Sequence, residues 1–458
     1  MNEVTLQDVL DARERRAWAQ ERLRWQFGRP LLSFTMNIPG PVKDSPLIRR
    51  GFDRGAALLE KAMADAAMPV MAREEQRAFT GCELLCAVDA PAEKLKELCV
   101  RIEDGTPMGR LFDMDVIDPE GRKLERGSER GCLVCGAPGR GCASRRLHSL
   151  AELTGAVDAL LRGGLLDADA EEAGRLATKA LLDEVNATPK PGLVDRRNNG
   201  SHKDMTLETF LASADALKTY WPACFRAGAE TAELPPEECF ARLRALGLEA
   251  EKAMFAATGG VNTHKGVIFS LGTVCGAAGR LWRAEAPCRD PARIAAESGS
   301  LCAAAVESDF AAVRQRGEGR TTGEKLYLSY GLRGIRGELR DGLPSVIRVA
   351  LPALEEALGE GRSRNDAGVL ALLRLIALGE DTNMIRRGGL SLARETAART
   401  AGLLRSDPRP SRAAVEALDD AFIRKGLSPG GCADLLAIGY FLLDWKSLSP
   451  AGTESKES

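Results

Sequence analysis

Apolar residues recur at helical spacing along most of the chain, and β-like stretches interrupt this pattern only near the N-terminus. Residues 6–24 predict an opening helix. Strands are predicted over residues 31–36, 82–88 and 110–117, where β-forming residues lie between turns. A helix over residues 91–102, with proline in its first turn, separates the last two strands. This alternation predicts an α+β fold for the first part of the chain.

The rest of the chain has only helical patterns, so an all-α C-terminal domain is expected. The helix around residues 151–161 is predicted to stop at Gly163 and Gly164, and a new helix is predicted to begin near Glu171 and end at Pro189. We therefore expect a multidomain protein with domains at 1–165 and 166–450. Further helices are predicted over residues 207–217, 236–256, 266–283, 294–313, 345–358, 367–377 and 389–404.

Charge and cysteine usage exclude several classes of protein. The 63 basic and 65 acidic residues give a net charge of -2 and are interspersed, which predicts no broad nucleic-acid or membrane surface. The charged N-terminus does not resemble a signal peptide, and the longest apolar run, around residues 267–278, is too short to span a bilayer. Most of the 12 cysteines are scattered through helical stretches, which favours a reducing cytoplasm.

Two aspartates mark the candidate site of the first domain. Alternation in the predicted strand over residues 110–117 places Asp113 and Asp115 on one face. Adjacent carboxylates repel unless a cation lies between them, so a divalent metal carrying a polyphosphate is one interpretation and a solvated strand face is the other. A turn after the first strand adds Gly40, which permits close backbone approach, and Lys43, a candidate phosphate ligand.

A cysteine-rich loop follows. Cys132, Cys135, Cys142 and His148 form a C-x2-C-x6-C-x5-H array, whose ligand types suit tetrahedral zinc. A thiol-rich loop without metal is the alternative. Arg145 adds phosphate-binding capacity.

The stretches SFTMNIPGPVKDSP, GRLFDMDVID and RGCLVCGAPGRGCASRRLHSLAEL resemble the apo-citrate lyase phosphoribosyl-dephospho-CoA transferase family over residues 20–155. The resemblance implies a nucleotidyltransferase-like domain that moves phosphoribosyl-dephospho-CoA onto a serine of the apo acyl carrier subunit of citrate lyase and releases pyrophosphate. It also implies that Asp113 and Asp115 hold Mg²⁺ on the triphosphate.

Four polar loops of the second half gather the remaining candidates. The first, TPKPGLVDRRNNGSHKDM, lies between two turns, and GGVNTHKG offers backbone N–H groups at a helix start, where phosphate can bind. Two of the three histidines lie in these loops, each before a lysine, which favours a site role for both. The candidates are Lys190, His202, Lys203, Asp204, His264, Lys265, Arg336, Glu338, Asp381, Asn383 and Arg386.

These loops resemble the triphosphoribosyl-dephospho-CoA synthase family over residues 180–390, with Ser201 departing from an expected alanine. The resemblance implies that ATP and 3'-dephospho-CoA are joined with release of adenine. Such a reaction needs an acid, a base and phosphate-binding cations. We assign Lys190, Lys203, Lys265 and Arg336 to phosphates, Asp204 and Asp381 to Mg²⁺ or the base, and His202 or His264 to the acid.

Three alternatives stay open. The same chemistry could serve the carrier protein of malonate decarboxylase, which uses the same prosthetic group. A zinc-containing nucleic-acid-binding or adaptor protein is a second alternative, which neutral charge and few aromatic residues disfavour. A nucleoside-ribosyl hydrolase would release adenine without dephospho-CoA.

Overall fold

The computed structural model describes residues 2–137, 142 and 145–448. These residues form two compact units. The first contains residues up to 168 together with 284–286, and the second contains residues 169–283 and 287–448. Within the described ranges, no helix combines the length and apolar character needed to cross a bilayer.

The first unit combines helices with a small sheet, as the α+β prediction requires. Ser45 caps the second helix through Ile48 N, with Pro46 in its first turn. The elements are α1 (Leu6–Phe27), β1 (Leu31–Met36), α2 (Pro46–Asp65), β2 (Val70–Ala78), β3 (Gly81–Val88), α3 (Ala92–Gly105), a 3₁₀ turn (Pro107–Leu111) and β4 (Phe112–Ile117).

The four strands form an antiparallel sheet in the order β2-β3-β1-β4. On one face, Phe34 of β1 stacks on Phe52 of α2 with ring centroids 4.8 Å apart. On the other face, Leu23 of α1 packs against Leu31 and Leu85. The sheet therefore lies between α1 and α2, which buries the apolar side chains of both faces.

Strand β2 was not predicted. Its sequence, VMAREEQRA, lacks alternating apolar residues, and its side chains are largely exposed. Ion pairs bind this edge strand to α2: Arg77 contacts Asp53 at 2.6 Å, and Arg73 contacts Glu60 at 3.0 Å. Charged side chains on an edge strand also discourage pairing with other chains.

The second unit is all-α over the residues that the structure describes, as predicted. The sequence pattern did not predict the helices over residues 220–230, 322–330, 334–340, 412–425 and 430–447. The helices are α4 (Leu150–Asn186), which begins in the first unit, α5 (Leu207–Ala216), α6 (Tyr220–Glu230), α7 (Pro236–Ala257), α8 (Lys265–Arg280), α9 (Pro291–Arg316), α10 (Thr322–Tyr330), α11 (Gly334–Arg340), α12 (Leu351–Gly359), α13 (Arg364–Ile376), α14 (Thr382–Ser406), α15 (Arg412–Lys425) and α16 (Gly430–Ser447). A π-helical turn (Val346–Ala350) precedes α12.

Helix α8 is central, packing against α6, α7, α9 and α16. Its glycines permit close helix packing: a Cβ on Gly279 would lie 1.9 Å from Phe225 O, and one on Gly228 of α6 would lie 1.9 Å from Gly276 O. Backbone contact at this distance excludes any side chain. These contacts fix the C-terminal half of α8 against α6.

The predicted helix end at Gly163 and Gly164 is wrong, because α4 continues through both residues to Asn186. A Cβ on Gly164 would lie 2.5 Å from Met108 Cβ. Gly164 thus serves helix packing within the first unit. A helix start at Gly389 is also wrong: α14 begins at Thr382, and Gly389 makes a non-helical kink inside it.

Candidate active sites

Asp113 and Asp115 lie on the same face of β4, as their spacing predicts. They pair in register with Thr35 and Ser33 of β1, while Phe112 and its apolar neighbours face the core. Asp115 forms an ion pair with Lys123 at 2.5 Å. Asp113 has no ion pair or hydrogen bond among the described residues, and burial together with Asp115 raises the pKa of its carboxyl.

A cavity of about 1270 Å³ surrounds these carboxylates. The sequence motifs did not predict most of the basic residues that line this cavity, because these residues are scattered along the chain. Buried Glu103 organises two of them: Arg126 contacts it at 2.8 Å and Arg130 at 2.5 Å. The basic residues of the lining are Lys96, Arg110, Lys123, Arg126, Arg130 and Arg146. This arrangement suits a polyanionic ligand beside two carboxylates.

The cysteine and histidine array forms one wall of the same cavity. One ligand atom from each of Cys132, Cys135, Cys142 and His148 lies within 4.8 Å of all the others. Ligands of one tetrahedral zinc lie roughly 3.4 to 3.8 Å apart, given bond lengths of about 2.0 to 2.3 Å. His148 Nε2 is buried and has no hydrogen-bond partner among the described residues. Three soft sulfur donors and an unsatisfied imidazole nitrogen therefore suit a metal ion.

Backbone geometry within the array supports a thiolate. Backbone N–H groups of Cys135 and Val134 lower the pKa of the Cys132 thiol to about 6. The Cys135 and Cys142 sulfurs lie 3.5 Å apart, and none of the cysteines forms a disulfide. Thiolate is the form that ligates metals.

The remaining candidates of the first unit are Gly40, Lys43 and Arg145. Gly40 adopts φ +83°, a conformation that favours glycine. The Lys43 ammonium donates a hydrogen bond to Ile38 O. Arg145 is exposed.

In the second unit, Lys190 is fully buried. Its ammonium donates hydrogen bonds to Glu184 O at 2.7 Å and to Glu184 Oε1 at 2.5 Å. Its backbone N–H donates to Asp195 Oδ2 at 2.8 Å, and Asp195 also accepts from the N–H groups of Arg197 and Asn198. Lys190 is therefore engaged inside the protein, and motif reading missed its partner Glu184.

His202 is held at both ring nitrogens. Nε2 lies 2.8 Å from Ser428 Oγ, and Nδ1 lies 3.2 Å from the Arg387 guanidinium. Burial and Arg387 lower the pKa of His202 to about 4, so the ring is neutral at pH 7. Its neighbours Lys203 and Asp204 are exposed, as is Arg386.

His264 is buried at the start of α8. Nδ1 lies 2.7 Å from Ser213 Oγ, while Nε2 is buried and no described residue forms a hydrogen bond with it. Burial, and then Lys190, lower the pKa of His264 to about 3. This neutral ring therefore keeps one unsatisfied nitrogen beside the Lys190 charge.

Burial raises the pKa of the Cys432 thiol well above its ordinary value, and the nearby charges of Asp381 and Glu338 raise it further. Asp381 caps α14, accepting from Asn383 N at 2.8 Å and Met384 N at 2.9 Å, and its other oxygen accepts from Cys432 N at 2.9 Å. Both Asp381 oxygens are thus occupied. Glu338 accepts from Ser345 N at 2.7 Å, and burial raises its pKa.

Asp434 is a buried acidic residue that the sequence motifs did not predict. Burial raises its pKa well above the ordinary value, and the charges of Glu184 and Asp381 raise it further. It has no hydrogen-bond or ion-pair partner among the residues that the structure describes. A Cβ on Gly266 would lie 2.0 Å from Asp434 Oδ2, so Gly266 makes room for this carboxyl at the start of α8.

A separate cavity of about 360 Å³ lies beside these loops. Its interior is largely apolar, and its lining includes Lys265 and Arg336. Lys265 pairs with Glu251 at 2.7 Å, and Arg336 pairs with Asp309 at 3.0 Å. Asn383 does not line this cavity and lies beside Gly430: a Cβ built on Gly430 would be 2.9 Å from the Asn383 amide nitrogen.

Comparison with known proteins matches both parts of the chain. The family model for ATP:dephospho-CoA triphosphoribosyl transferase matches residues 170–452. The family model for apo-citrate lyase phosphoribosyl-dephospho-CoA transferase matches residues 4–163.

Similar proteins have the same organisation. Protein CitXG of Haemophilus influenzae is 35% identical over 97% of this chain and 97% of its own length. Protein CitXG of Leuconostoc mesenteroides is 31% identical over 96% of this chain and 97% of its own. A probable 2-(5''-triphosphoribosyl)-3'-dephosphocoenzyme-A synthase of Citrobacter koseri is 44% identical over 58% of this chain and 88% of its own. The chain therefore belongs to the CitXG family, whose two transferase activities make and attach the citrate lyase prosthetic group.

Proposed function

We propose that the two reactions use separate sites, with synthesis in residues 166–450 and transfer in residues 1–165. The observation that carries this proposal is that each unit has its own cavity and its own carboxyl without a partner among the described residues, Asp113 in the first and Asp434 in the second. The acceptor is a serine of the apo acyl carrier subunit of citrate lyase, and the setting is the cytoplasm.

The first unit acts as a nucleotidyltransferase-like domain. Asp113 and Asp115 would hold Mg²⁺, because Asp113 is unpaired and Asp115 can exchange Lys123 for the metal. When bound, the ion neutralises charge on the triphosphate. The basic residues of the cavity bind the phosphoribosyl-dephospho-CoA part of the substrate.

In the second unit, the 2'-hydroxyl oxygen of dephospho-CoA bonds to ribose C1 of ATP while the bond from C1 to adenine breaks. Asp434 donates a proton to the departing adenine, since burial raises the pKa of its carboxyl and so favours the protonated form. Glu338 accepts the hydroxyl proton. His202 and His264 are too weakly basic to be protonated at pH 7, so they position the loops.

The exposed side chains of Lys203 and Arg386 bind the ATP phosphates. Lys265 and Arg336 also bind them after their ion pairs with Glu251 and Asp309 break. The neighbouring apolar cavity takes the pantetheine arm. Lys190 has a structural role, because its ammonium is fully buried against Glu184.

A reconstituted assay tests the separation of sites. Full-length protein with Mg²⁺, ATP and dephospho-CoA should release adenine, and apo carrier subunit added afterwards should gain the prosthetic group in a mass spectrum. Asp113→Asn should slow transfer at least about 100-fold and leave adenine release intact, since losing a metal ligand costs several kcal/mol. Exposed Glu120→Gln is the matched control. Loss of both activities in folded Asp113→Asn protein would contradict separate sites.

Cys132, Cys135, Cys142 and His148 would hold zinc, a structural ion that orders the cavity wall. Metal analysis of the full-length protein should find about one zinc per chain. Cys132→Ser should lower that content, and Cys288→Ser, a free cysteine elsewhere, should not. Equal zinc content in both variants would remove this assignment.

A further inference from the structure

A second cavity in the first unit, of about 210 Å³, lies between α1 and the sheet. It shares Asn37 and Asp113 with the larger cavity, so the two meet at the proposed metal site. Its volume is several times the roughly 30 Å³ that one water molecule occupies. A group of phosphate size therefore fits beside Asp113.

The lining of this small cavity is cationic and only partly neutralised. Arg16 pairs with Glu83 at 2.8 Å. Arg13 and Lys43 have no carboxylate within ion-pair distance among the described residues. Burial and the charge of Arg13 lower the pKa of Lys43. Two cations in one small cavity, neither of them in an ion pair among the described residues, favour the binding of an anion.

We propose that Arg13 and Lys43, with Arg16 beside them, bind the pyrophosphate leaving group of the transfer reaction. This inference rests on the proposed function of the first unit. The serine oxygen forms a bond to the α-phosphorus, and the bond from that phosphorus to the oxygen bridging to the β-phosphate breaks. Pyrophosphate leaves with the electron pair, and the serine proton passes to water.

The two cavities then divide the substrate at Asp113. The larger one holds the phosphoribosyl-dephospho-CoA part, and the smaller one holds the β- and γ-phosphates. Negative charge grows on the leaving oxygen in the transition state, so cations placed on that side stabilise the transition state more than the ground state. Arg13 and Lys43 should therefore influence turnover as well as pyrophosphate binding.

The test measures inhibition of transfer by inorganic pyrophosphate with Mg²⁺, using the full-length protein. Arg13→Ala and Lys43→Ala should each raise the inhibition constant about 10- to 100-fold, the range expected for one charge-assisted contact. They should also lower kcat for transfer and leave adenine release unchanged. Lys43→Arg should restore part of the pyrophosphate affinity, and it guards against a folding defect in Lys43→Ala.

Arg15→Ala is the matched control, because Arg15 is exposed on the same helix and does not line the cavity. Pyrophosphate should inhibit this variant as strongly as it inhibits the wild type. Wild-type pyrophosphate inhibition in folded Arg13→Ala and Lys43→Ala, or equal weakening in Arg15→Ala, would overturn the subsite. If the wild type modifies no carrier at all, the proposed function itself fails, so the two failures are distinguishable.

Discussion

Replacing Lys190 by methionine separates a structural role from a phosphate-binding role. In the structure the Lys190 side chain is 1% exposed and that of Glu184 is 6% exposed, with 2.5 Å between ammonium and carboxylate. Methionine keeps the length of the side chain but leaves Glu184 buried without a counter-charge. Removing one partner of a buried pair costs about 3 to 5 kcal/mol.

That loss should lower the unfolding midpoint by roughly 6 to 20 °C, at about 2 to 4 °C per kcal/mol for a domain of this size. The Lys190→Met, Glu184→Gln double variant should recover most of the stability, because neither charge is then buried alone. Thermal unfolding followed by circular dichroism measures both effects. The KM for ATP in adenine release should stay near the wild-type value in the double variant.

Lys203→Met is the matched control, since Lys203 is exposed on the same loop. It should leave the midpoint unchanged and raise the KM for ATP about 10- to 100-fold, as loss of a charged contact to phosphate would. If Lys190→Met instead keeps its midpoint and loses ATP affinity, Lys190 is the phosphate ligand and the structural interpretation is refuted.

Three further predictions concern the second unit. Asp434→Asn should reduce the rate of adenine release about 100- to 10,000-fold with little change in KM, because it removes the proposed acid; a wild-type rate would exclude that role. Gly266→Ala places a Cβ 2.0 Å from Asp434 Oδ2 and should also suppress adenine release, whereas Gly402→Ala, whose Cβ would lie 3.8 Å from the nearest atom, should not. Burial lowers the pKa of His264 from 6.5 to about 3, so its contribution to stability is present above pH 6.5 and is lost as the pH falls towards 3. The unfolding midpoint of His264→Asn should therefore fall less than that of the wild type between pH 7 and pH 4. An equal fall would contradict this assignment.

Local patterns predicted much of the secondary structure. The strand at 31–36 and the helix predicted at 91–102, observed as Ala92–Gly105, were correct, since β-propensity and helical periodicity are local patterns. The errors came where tertiary contacts override local signals. Strand β2 depends on ion pairs to other elements, and Gly164 serves packing against Met108 within a continuous helix.

For the candidate sites, the sequence by itself determined which loops carry titratable residues and which families they resemble. Motifs are contiguous in the chain, so Asp113, the cysteine array and the four polar loops could be recognised before folding was considered. Only the tertiary structure decided which of these groups are available. It buried Lys190 against Glu184, occupied both oxygens of Asp381, and left Asp434 and Arg13 without ion-pair partners among the described residues. The physical reason is that burial and pairing depend on residues distant in sequence, and these contacts determine both the charge state and the accessibility of each side chain.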